Sequence, residues 1–214
     1  MAAHSATLCR VLGIDRQVSD GVLLTFDDGP HPEGTPAVLE ALGDTRATFF
    51  MVGEQVERYP EIARAVADAG HEIALHGYRH RNQMRVTPGW LRDDLRRGHD
   101  AIASATGRNP VLYRPPYGMF TPAGLVLSAS YNRLLWSKWG RDWRARTTAE
   151  EIASRATRGL RSGDVILLHD ADWYSARGSH RRTAAAVPLI LEALESAGLY
   201  AASASSAGSR SQSM

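Results

Sequence analysis

The sequence predicts an α/β fold built on a parallel sheet, either open or closed into a barrel. Three observations lead to this fold class. Short apolar, β-branched or aromatic runs recur along the chain, and helical patterns separate most of them. Polar residues of the kinds used in catalysis follow five of these runs, which is where α/β folds place their chemistry. At 214 residues, the chain is long enough for one domain with a full core.

The predicted strands have the composition of buried strands, and periodicity alone does not separate an open sheet from a barrel. They cover residues 22–26, 47–52, 72–75, 111–113, 133–136, 164–168 and 199–202. Helix boundaries are indicated by Pro at first helical positions, by Gly after helix ends and by a capping box of Thr148 with Glu151. The helices predicted from these signals cover residues 60–69, 88–106, 148–160 and 184–196.

Composition excludes several classes of protein. The net charge is only +2 and the arginines are interleaved with acids, so no basic stripe for nucleic acid is expected. The single cysteine, Cys9, excludes an internal disulfide framework and a cysteine-rich metal site. No segment is long and apolar enough to span a membrane, and the first 20 residues lack the pattern of a signal peptide.

From these features the chain as written is expected to stay in the cytoplasm, or outside it if an export signal was removed. The expected organisation is an N-terminal extension over residues 1–20, a catalytic domain over 21–202 and a disordered Ser-rich tail over 203–214. A monomer or homodimer acting on a small molecule or an oligosaccharide is expected, without a nucleic-acid or membrane partner.

Two adjacent carboxylates, Asp27 and Asp28, directly follow the first long strand in the segment TFDDGP. Two like charges at the end of a buried strand repel each other, and desolvation adds to the cost. Either both face water or a positive charge lies beside them. The residues after later strands are of matching types: His76, Arg114, Asp142, and His169 with Asp170.

A metal ion beside Asp27 and Asp28 would supply the positive charge that the two carboxylates need. His76 and His80 in HGYRH are four residues apart, which brings both imidazoles to one side of a helix or tight turn. One carboxylate of the Asp pair is available as a third ligand. Two His and one Asp leave an open position for water, as a hydrolytic metal needs, and the second Asp is then free to act as a general base.

Five segments in order, TFDDGP, HGYRH, RPPYG, DW and LLHD, resemble the motifs of the polysaccharide deacetylases. These proteins share the NodB-homology domain and form carbohydrate esterase family 4. The resemblance runs from about Val22 to Tyr200. It implies a distorted (β/α) barrel of about seven parallel strands and a metal-dependent hydrolase that uses metal-activated water to remove an N-acetyl, less often O-acetyl, group.

The resemblance also implies roles for the matching residues. Asp28, His76 and His80 would hold a divalent metal, most often zinc. Asp27 would be the general base, and Arg114 would pair with it and hold it in place.

On the leaving-group side, the resemblance implies that Asp142 orients His169 and raises its pKa, so that His169 protonates the departing amine. The backbone N–H of Tyr117 would stabilise the oxyanion. Trp143 and Leu167 would shape the acetyl pocket.

Two departures from the family pattern affect the site. The family usually has Ser or Thr after the first His of the second motif, where its hydroxyl braces the loop; this chain has Gly77, so looser packing of the loop is expected. Trp139 stands close to a position where the family often has Asp, and it is expected to line the substrate site or the core. The polar segment 171–183, with Tyr174, is expected to form a loop over the mouth of the site, or an ordinary surface loop.

Two functions remain open at this point besides deacetylation of an amino sugar or a sugar-containing metabolite. One is an intracellular tailoring enzyme of secondary metabolism that uses the same metal site for deacylation, cyclisation or dehydration. The other, from a different class, is a non-catalytic binding protein that retains the fold. The complete set of expected site residues argues against the second, because loss of such a residue is the usual mark of an inactive relative.

Overall fold

The protein is described by a computed structural model over residues 6–202. The tail predicted at 203–214 therefore lies outside the described residues. Eight strands form one sheet: β1 Ile14–Asp15, β2 Leu23–Asp27, β3 Thr48–Met51, β4 Glu72–Leu75, β5 Leu112–Tyr113, β6 Asn132–Leu134, β7 Lys138–Trp139 and β8 Val165–His169. Eight α-helices accompany them: α1 Ala6–Val11, α2 Gly34–Leu42, α3 Gly53–Arg58, α4 Pro60–Asp68, α5 Pro88–Thr106, α6 Pro122–Leu127, α7 Ala149–Thr157 and α8 Ser179–Ser196.

All strand pairs within the sheet are parallel, in the order β1-β6-β5-β4-β3-β2-β8-β7. The order ends at β1 and β7, so the barrel is not closed by hydrogen bonds between these strands. This is a distorted, half-closed (β/α) barrel, and it confirms the predicted fold class with eight strands where about seven were expected. The N-terminal residues contribute to it, because Ile14 of β1 pairs with Arg133 of β6.

The central strands are buried along their whole length. Every residue of β2 is buried, as are the first four of β8, and the sequences LLTFD and VILLH are nearly continuous in apolar residues. Strands of a parallel sheet covered on both faces have this composition. Helix α8 packs against α2 and α7 and contacts β8, and α7 contacts β7.

The helix boundary signals correspond to real caps. The Thr87 hydroxyl accepts a hydrogen bond from the Trp90 N–H at the start of α5, and Gly107 ends that helix in the left-handed conformation. The capping box of Thr148 and Glu151 is present at the start of α7. These contacts satisfy backbone groups that a helix end otherwise leaves unpaired.

Some predicted boundaries were wrong. The run at 199–202 is not a strand and forms only one bridge, between Val22 and Ala201. The run at 133–136 corresponds to β6, which ends at Leu134, and the short strand β7 at 138–139 was not predicted. Helix α7 ends at Thr157 instead of continuing to 160. The loop predicted over 171–183 ends at Gly178, because α8 begins at Ser179 and not at 184. No side chain caps the start of α8, so the sequence carries no signal there.

None of the helices over residues 6–202 is long and apolar enough to cross a membrane. Cys9 is buried as a free thiol beside other apolar side chains.

Candidate active site

The predicted site residues meet at the carboxyl edge of the sheet. Asp27 is the last residue of β2, His169 is the last residue of β8, and the two are paired in the strand register. His76 directly follows β4, and Arg114 directly follows β5. Since all these strands run in the same direction, residues at their ends lie on one edge of the sheet.

Asp28, His76 and His80 form a compact set of potential ligands. The Oδ1 atom of Asp28 lies 3.5 Å from Nε2 of His76 and 3.3 Å from Nε2 of His80. A tetrahedral zinc ion with ligand bonds of about 2.0–2.1 Å separates neighbouring donor atoms by about 3.3–3.4 Å. The distances from the Asp28 oxygen therefore have the size that a shared metal requires.

The hydrogen bond of His76 leaves a lone pair on the ring nitrogen that lies beside Asp28. Nδ1 of His76 lies 2.7 Å from the Arg114 carbonyl oxygen, which only accepts, so the ring proton is on Nδ1 and Nε2 is free to ligate. Burial lowers the pKa of His76 to about 3 and that of His80 to about 3, so both rings are neutral. Asp28 Oδ1 is buried without a hydrogen-bond partner among the described residues.

Two imidazole nitrogens and a carboxylate oxygen, all within 4.8 Å of one another, form a donor set that fits a cation. Burial, reinforced by the Asp27 carboxylate, raises the pKa of Asp28 to about 7. A divalent cation would reverse this effect and favour the ionised carboxylate. The donor set is thus consistent with a divalent metal, as the sequence predicted.

Asp27 is held by Arg114 in the interior of the protein. Nη1 of Arg114 donates to Asp27 Oδ1 at 2.6 Å and to the Thr25 hydroxyl at 2.9 Å. The remaining donors reach the carbonyl oxygens of Leu134 at 3.0 Å and Leu135 at 3.2 Å. Burial raises the pKa of Asp27 and the guanidinium opposes that rise. Asp27 is therefore a fixed carboxylate whose proton affinity lies above that of an exposed aspartate, as a general base requires.

His169 and Asp142 form a second fixed pair. Nδ1 of His169 lies 3.0 Å from Asp142 Oδ1, and the His169 backbone N–H donates to Asp142 Oδ2 at 2.7 Å. The Thr183 hydroxyl from α8 donates to the same Oδ2 at 2.9 Å. Burial alone would lower the pKa of His169, but the Asp142 carboxylate raises the pKa to about 10. The imidazole is therefore charged at neutral pH and carries a proton that it can donate.

A cavity of about 330 Å³ opens above these groups, and its far wall is aromatic. Trp143 lies edge-on to His169 with ring centroids 5.6 Å apart, and Trp139 lies edge-on to Trp143 at the same distance. Leu167 lines the wall, as expected, and so does Trp136, which the sequence did not single out. Trp139 thus belongs to the site and not only to the core.

Two tyrosines border the mouth of this cavity. The Tyr174 ring stacks on His80 with centroids 4.1 Å apart and planes 11° from parallel, and its hydroxyl donates to Glu54 at 3.0 Å. The loop that carries Tyr174 therefore covers part of the site. Tyr117 lies beside His80 with ring centroids 4.6 Å apart, and its backbone has a φ of 62°. Such a conformation is uncommon for a residue other than glycine and is concentrated at functional sites.

Comparison with known proteins agrees with this geometry. The sequence model of the family described as polysaccharide deacetylase matches residues 15–132. A chitooligosaccharide deacetylase of Bradyrhizobium sp. (strain ANU 289) is 40% identical over 154 residues, which cover 70% of this chain and 70% of the relative. A peptidoglycan-N-acetylglucosamine deacetylase of Bacillus cereus is 36% identical over 185 residues, 83% of each chain. The chain belongs to the polysaccharide deacetylase family.

A solved structure extends the likeness to the fold. The family 4 carbohydrate esterase from Streptomyces lividans, in complex with acetate, matches with a TM-score of 0.77 and 32% identity, covering 88% of this chain and 95% of that chain. Together these findings confirm the family recognised from the five motifs and the prediction of a deacetylase acting on C–N bonds.

The loop formed by the motif HGYRH, which contains Gly77, is held by hydrogen bonds to helix α5. The Tyr78 N–H and the Arg79 N–H donate to the two oxygens of Asp94, a buried residue of α5, each at 2.9 Å. Gly77 has a φ of +85°, and a Cβ there would lie 2.9 Å from Asp94 Oδ2. The expected loose packing of this loop was wrong, because a carboxylate of helix α5 holds it through two backbone N–H groups.

The turn after Asp28 depends on another acid to which the sequence assigned no role. The Gly29 N–H donates to Asp170 Oδ1 at 3.1 Å, and the Thr35 hydroxyl donates to Asp170 Oδ2. Asp170 is buried and directly follows His169. Asp170 of the motif LLHD thus holds the turn of the motif TFDDGP, in addition to the histidine that LLHD supplies to the site.

A second group of two histidines and an aspartate, His31, Asp172 and His180, lies nearby. Nδ1 of His31 accepts hydrogen bonds from the Glu33 N–H at 3.1 Å and the Gly34 N–H at 2.9 Å. The ring proton is therefore on Nε2, which lies 3.3 Å from Asp172 Oδ1. A nitrogen that carries a proton cannot ligate, so His31 does not complete a metal site here, and its ring connects the loop of Asp172 to the start of α2.

Proposed function

We propose that the protein hydrolyses the N-acetyl group of an amino sugar in an oligosaccharide or polymer, releasing acetate and a free amine. The observation that carries this proposal is the convergence of a ligand set, a base and an acid on one cavity at the carboxyl edge of the sheet. The relatives named above are deacetylases of chitooligosaccharides and of the N-acetylglucosamine of peptidoglycan, which supports the choice of substrate class.

The ligands in this proposal are Asp28, His76 and His80, and zinc is the metal that best suits two imidazoles and one carboxylate. When bound, a divalent cation supplies Lewis-acid polarisation of the acetyl carbonyl and lowers the pKa of water. The Arg114 carbonyl orients His76 through its Nδ1–H, so the arginine positions a ligand and the base at once.

Asp27 accepts the proton of the attacking water in this mechanism. Its Oδ1 is occupied by Arg114, and its Oδ2 lies 3.7 Å from His76 Nε2, on the side of the ligand set. The free oxygen therefore faces the place where water and the acetyl carbon meet. In this proposal the Tyr117 backbone N–H stabilises the oxyanion that forms, and Tyr117 lines the cavity in the turn that follows Arg114.

His169 donates its proton to the amine nitrogen as the C–N bond breaks. An amide nitrogen is a poor leaving group unless it is protonated, and the Asp142 carboxylate keeps the imidazole charged until that step. Trp143 and Leu167 enclose the acetyl methyl group and keep bulk water from the reacting carbonyl.

The test is acetate release from N-acetylglucosamine oligomers, peptidoglycan fragments and small N-acetylated amines, with zinc added and an Asp27→Asn control. Acetate from the sugars that disappears in the control supports the proposal. Acetate from the small amines alone would instead support metabolite tailoring. If zinc binds and no substrate is deacetylated, a different reaction or a binding role must be sought at the same site.

A further inference from the structure

A second, larger cavity of about 870 Å³ continues outward from the site. It shares His80, Tyr117 and Tyr174 with the inner cavity, so a substrate that places its acetyl group inside extends into this groove. Most of its lining lies within residues 79–90, and of these lining residues only His80 has a role in the mechanism described above.

The groove is strongly cationic. Three arginines line it, Arg79, Arg81 and Arg85, against one carboxylate, Glu54. Arg79 is 53% exposed, and its Nε lies 3.9 Å from Glu54 Oε2, too far for a hydrogen bond. Within residues 6–202, neither Arg81 nor Arg85 has a carboxylate within salt-bridge distance, and both side chains are exposed.

The same groove has aromatic faces suited to a sugar ring. Trp90 is half-buried in its wall, and Tyr117 is 58% exposed where it meets the inner cavity. Aromatic surfaces present an apolar face to a ligand, and guanidinium groups match carboxylates in charge and in the fork of their donors. The combination fits a glycan that carries carboxylates.

We propose that this groove binds the sugar unit next to the one being deacetylated and selects units that bear a carboxylate. This inference rests on the proposed function and adds to it the charge of the substrate. The groove discriminates among three kinds of neighbouring unit: an anionic unit is attracted, a neutral N-acetylated unit is accepted, and a unit already deacetylated is repelled because its amine is protonated. Deacetylation of one unit therefore disfavours reaction at the adjacent unit on the groove side.

The experiment compares KM and kcat on three oligosaccharides of equal length. One is neutral chitooligosaccharide, one has free lactyl-ether carboxylates on alternate units, and one is partly deacetylated. We expect the lowest KM for the carboxylate substrate and the highest for the partly deacetylated one. The advantage of the carboxylate substrate should shrink as salt rises, because exposed charges are screened within about 10 Å at 0.1 M ionic strength.

Variants test the residues. Since an exposed ion pair shifts binding by up to about fivefold, Arg81→Gln with Arg85→Gln should raise KM for the carboxylate substrate by about two- to thirtyfold, with a much smaller change for the neutral one. Glu54→Gln should act in the opposite direction and lower the KM of the carboxylate substrate. Arg92→Gln is the matched control, because Arg92 is exposed on α5 and lines neither cavity. Circular dichroism checks that each variant is folded.

Equal KM values for the neutral and carboxylate substrates, or an effect of Arg92→Gln equal to that of the double variant, would overturn the inference while leaving deacetylation intact. Absence of acetate from all three substrates would overturn the proposed function itself.

Discussion

Substitution of Asp94 by Asn should weaken metal binding at a site that Asp94 does not touch. The carboxylate accepts one hydrogen bond on each oxygen, from the Tyr78 N–H and the Arg79 N–H. An asparagine at this position can accept only one of them, and its amide group turns a second donor against the other N–H. Burial raises the pKa of Asp94 to about 6, although the two N–H donors oppose the rise, so the carboxylate is ionised at neutral pH and suited to both donors.

The magnitude is set by the lost hydrogen bond. A buried N–H left without an acceptor costs about 1–3 kcal/mol. The cost falls on the short segment that carries His80, since the two braced residues lie between Gly77 and that ligand. If the segment then populates conformations that cannot ligate, the apparent affinity falls in proportion to the fraction that remains competent, by about 5- to 150-fold.

The assay is a zinc competition titration against a chromophoric chelator, combined with hydrogen exchange of residues 77–82 in metal-free protein. Asp94→Asn should show weaker zinc binding and faster exchange. Asp93→Asn is the control, because it removes the same charge from an exposed position on the same helix. If both variants bind zinc equally and exchange equally slowly, Asp94 does not brace the loop and the reasoning is wrong.

Three further outcomes are expected at the site. Arg114→Met should reduce the free energy of unfolding in urea by about 3–5 kcal/mol, because it leaves Asp27 buried without its partner, and adding Asp27→Asn should recover part of the loss. In zinc-free protein, the stability due to charged His169 is fully present below its unfolded pKa of about 6.5 and is lost as pH rises toward its folded pKa of about 10. Urea unfolding at pH 6 and pH 9.5 should therefore show a smaller decline for Asp142→Asn than for the wild type; an equal decline would mean that the pair is not charged. Zinc titration should saturate at one ion per chain and be unchanged by Asp172→Asn, whereas a second ion lost in this variant would contradict the assigned proton on His31.

Local sequence pattern was sufficient to predict the long strands and the edge of the sheet that holds the site. The strands with long apolar runs, β2, β3, β4 and β8, appear where they were expected, and catalytic residue types at their ends indicated that edge. The short strands β1 and β7 have two residues each and were not predicted, whereas β5, of the same length, lies within the apolar run at 111–113. The run at 199–202 has strand composition but finds only one bridging partner, Val22.

The supporting residues could not be predicted because they depend on contacts distant in sequence. Asp94 is one acid among several on a polar helix, and nothing near it indicates that it reaches back 15 and 16 residues to two backbone N–H groups. Asp170 lies in a recognised motif, yet its partner Gly29 is 141 residues away. Gly77 suggested a weaker loop by comparison with the family, whereas its missing side chain is what admits the Asp94 carboxylate.

The placement of Arg114 has a consequence for how this chain can change by mutation. Its guanidinium joins the base to the backbone of the segment at Leu134 and Leu135, so the charge at Asp27 and the integrity of the sheet depend on one side chain. By contrast, His169 is a terminal strand residue whose side chain faces the cavity, and its loss would leave Asp142 hydrogen-bonded to Thr183 and to the backbone. Loss of either residue leaves a buried carboxylate without its charged partner, but Asp142 keeps two neutral donors whereas Asp27 loses the donor to its Oδ1, so a lineage that drifts away from catalysis loses the acid more readily than the arginine. Persistence of Arg114 in a descendant would reveal little about its activity, and persistence of His169 would reveal much more.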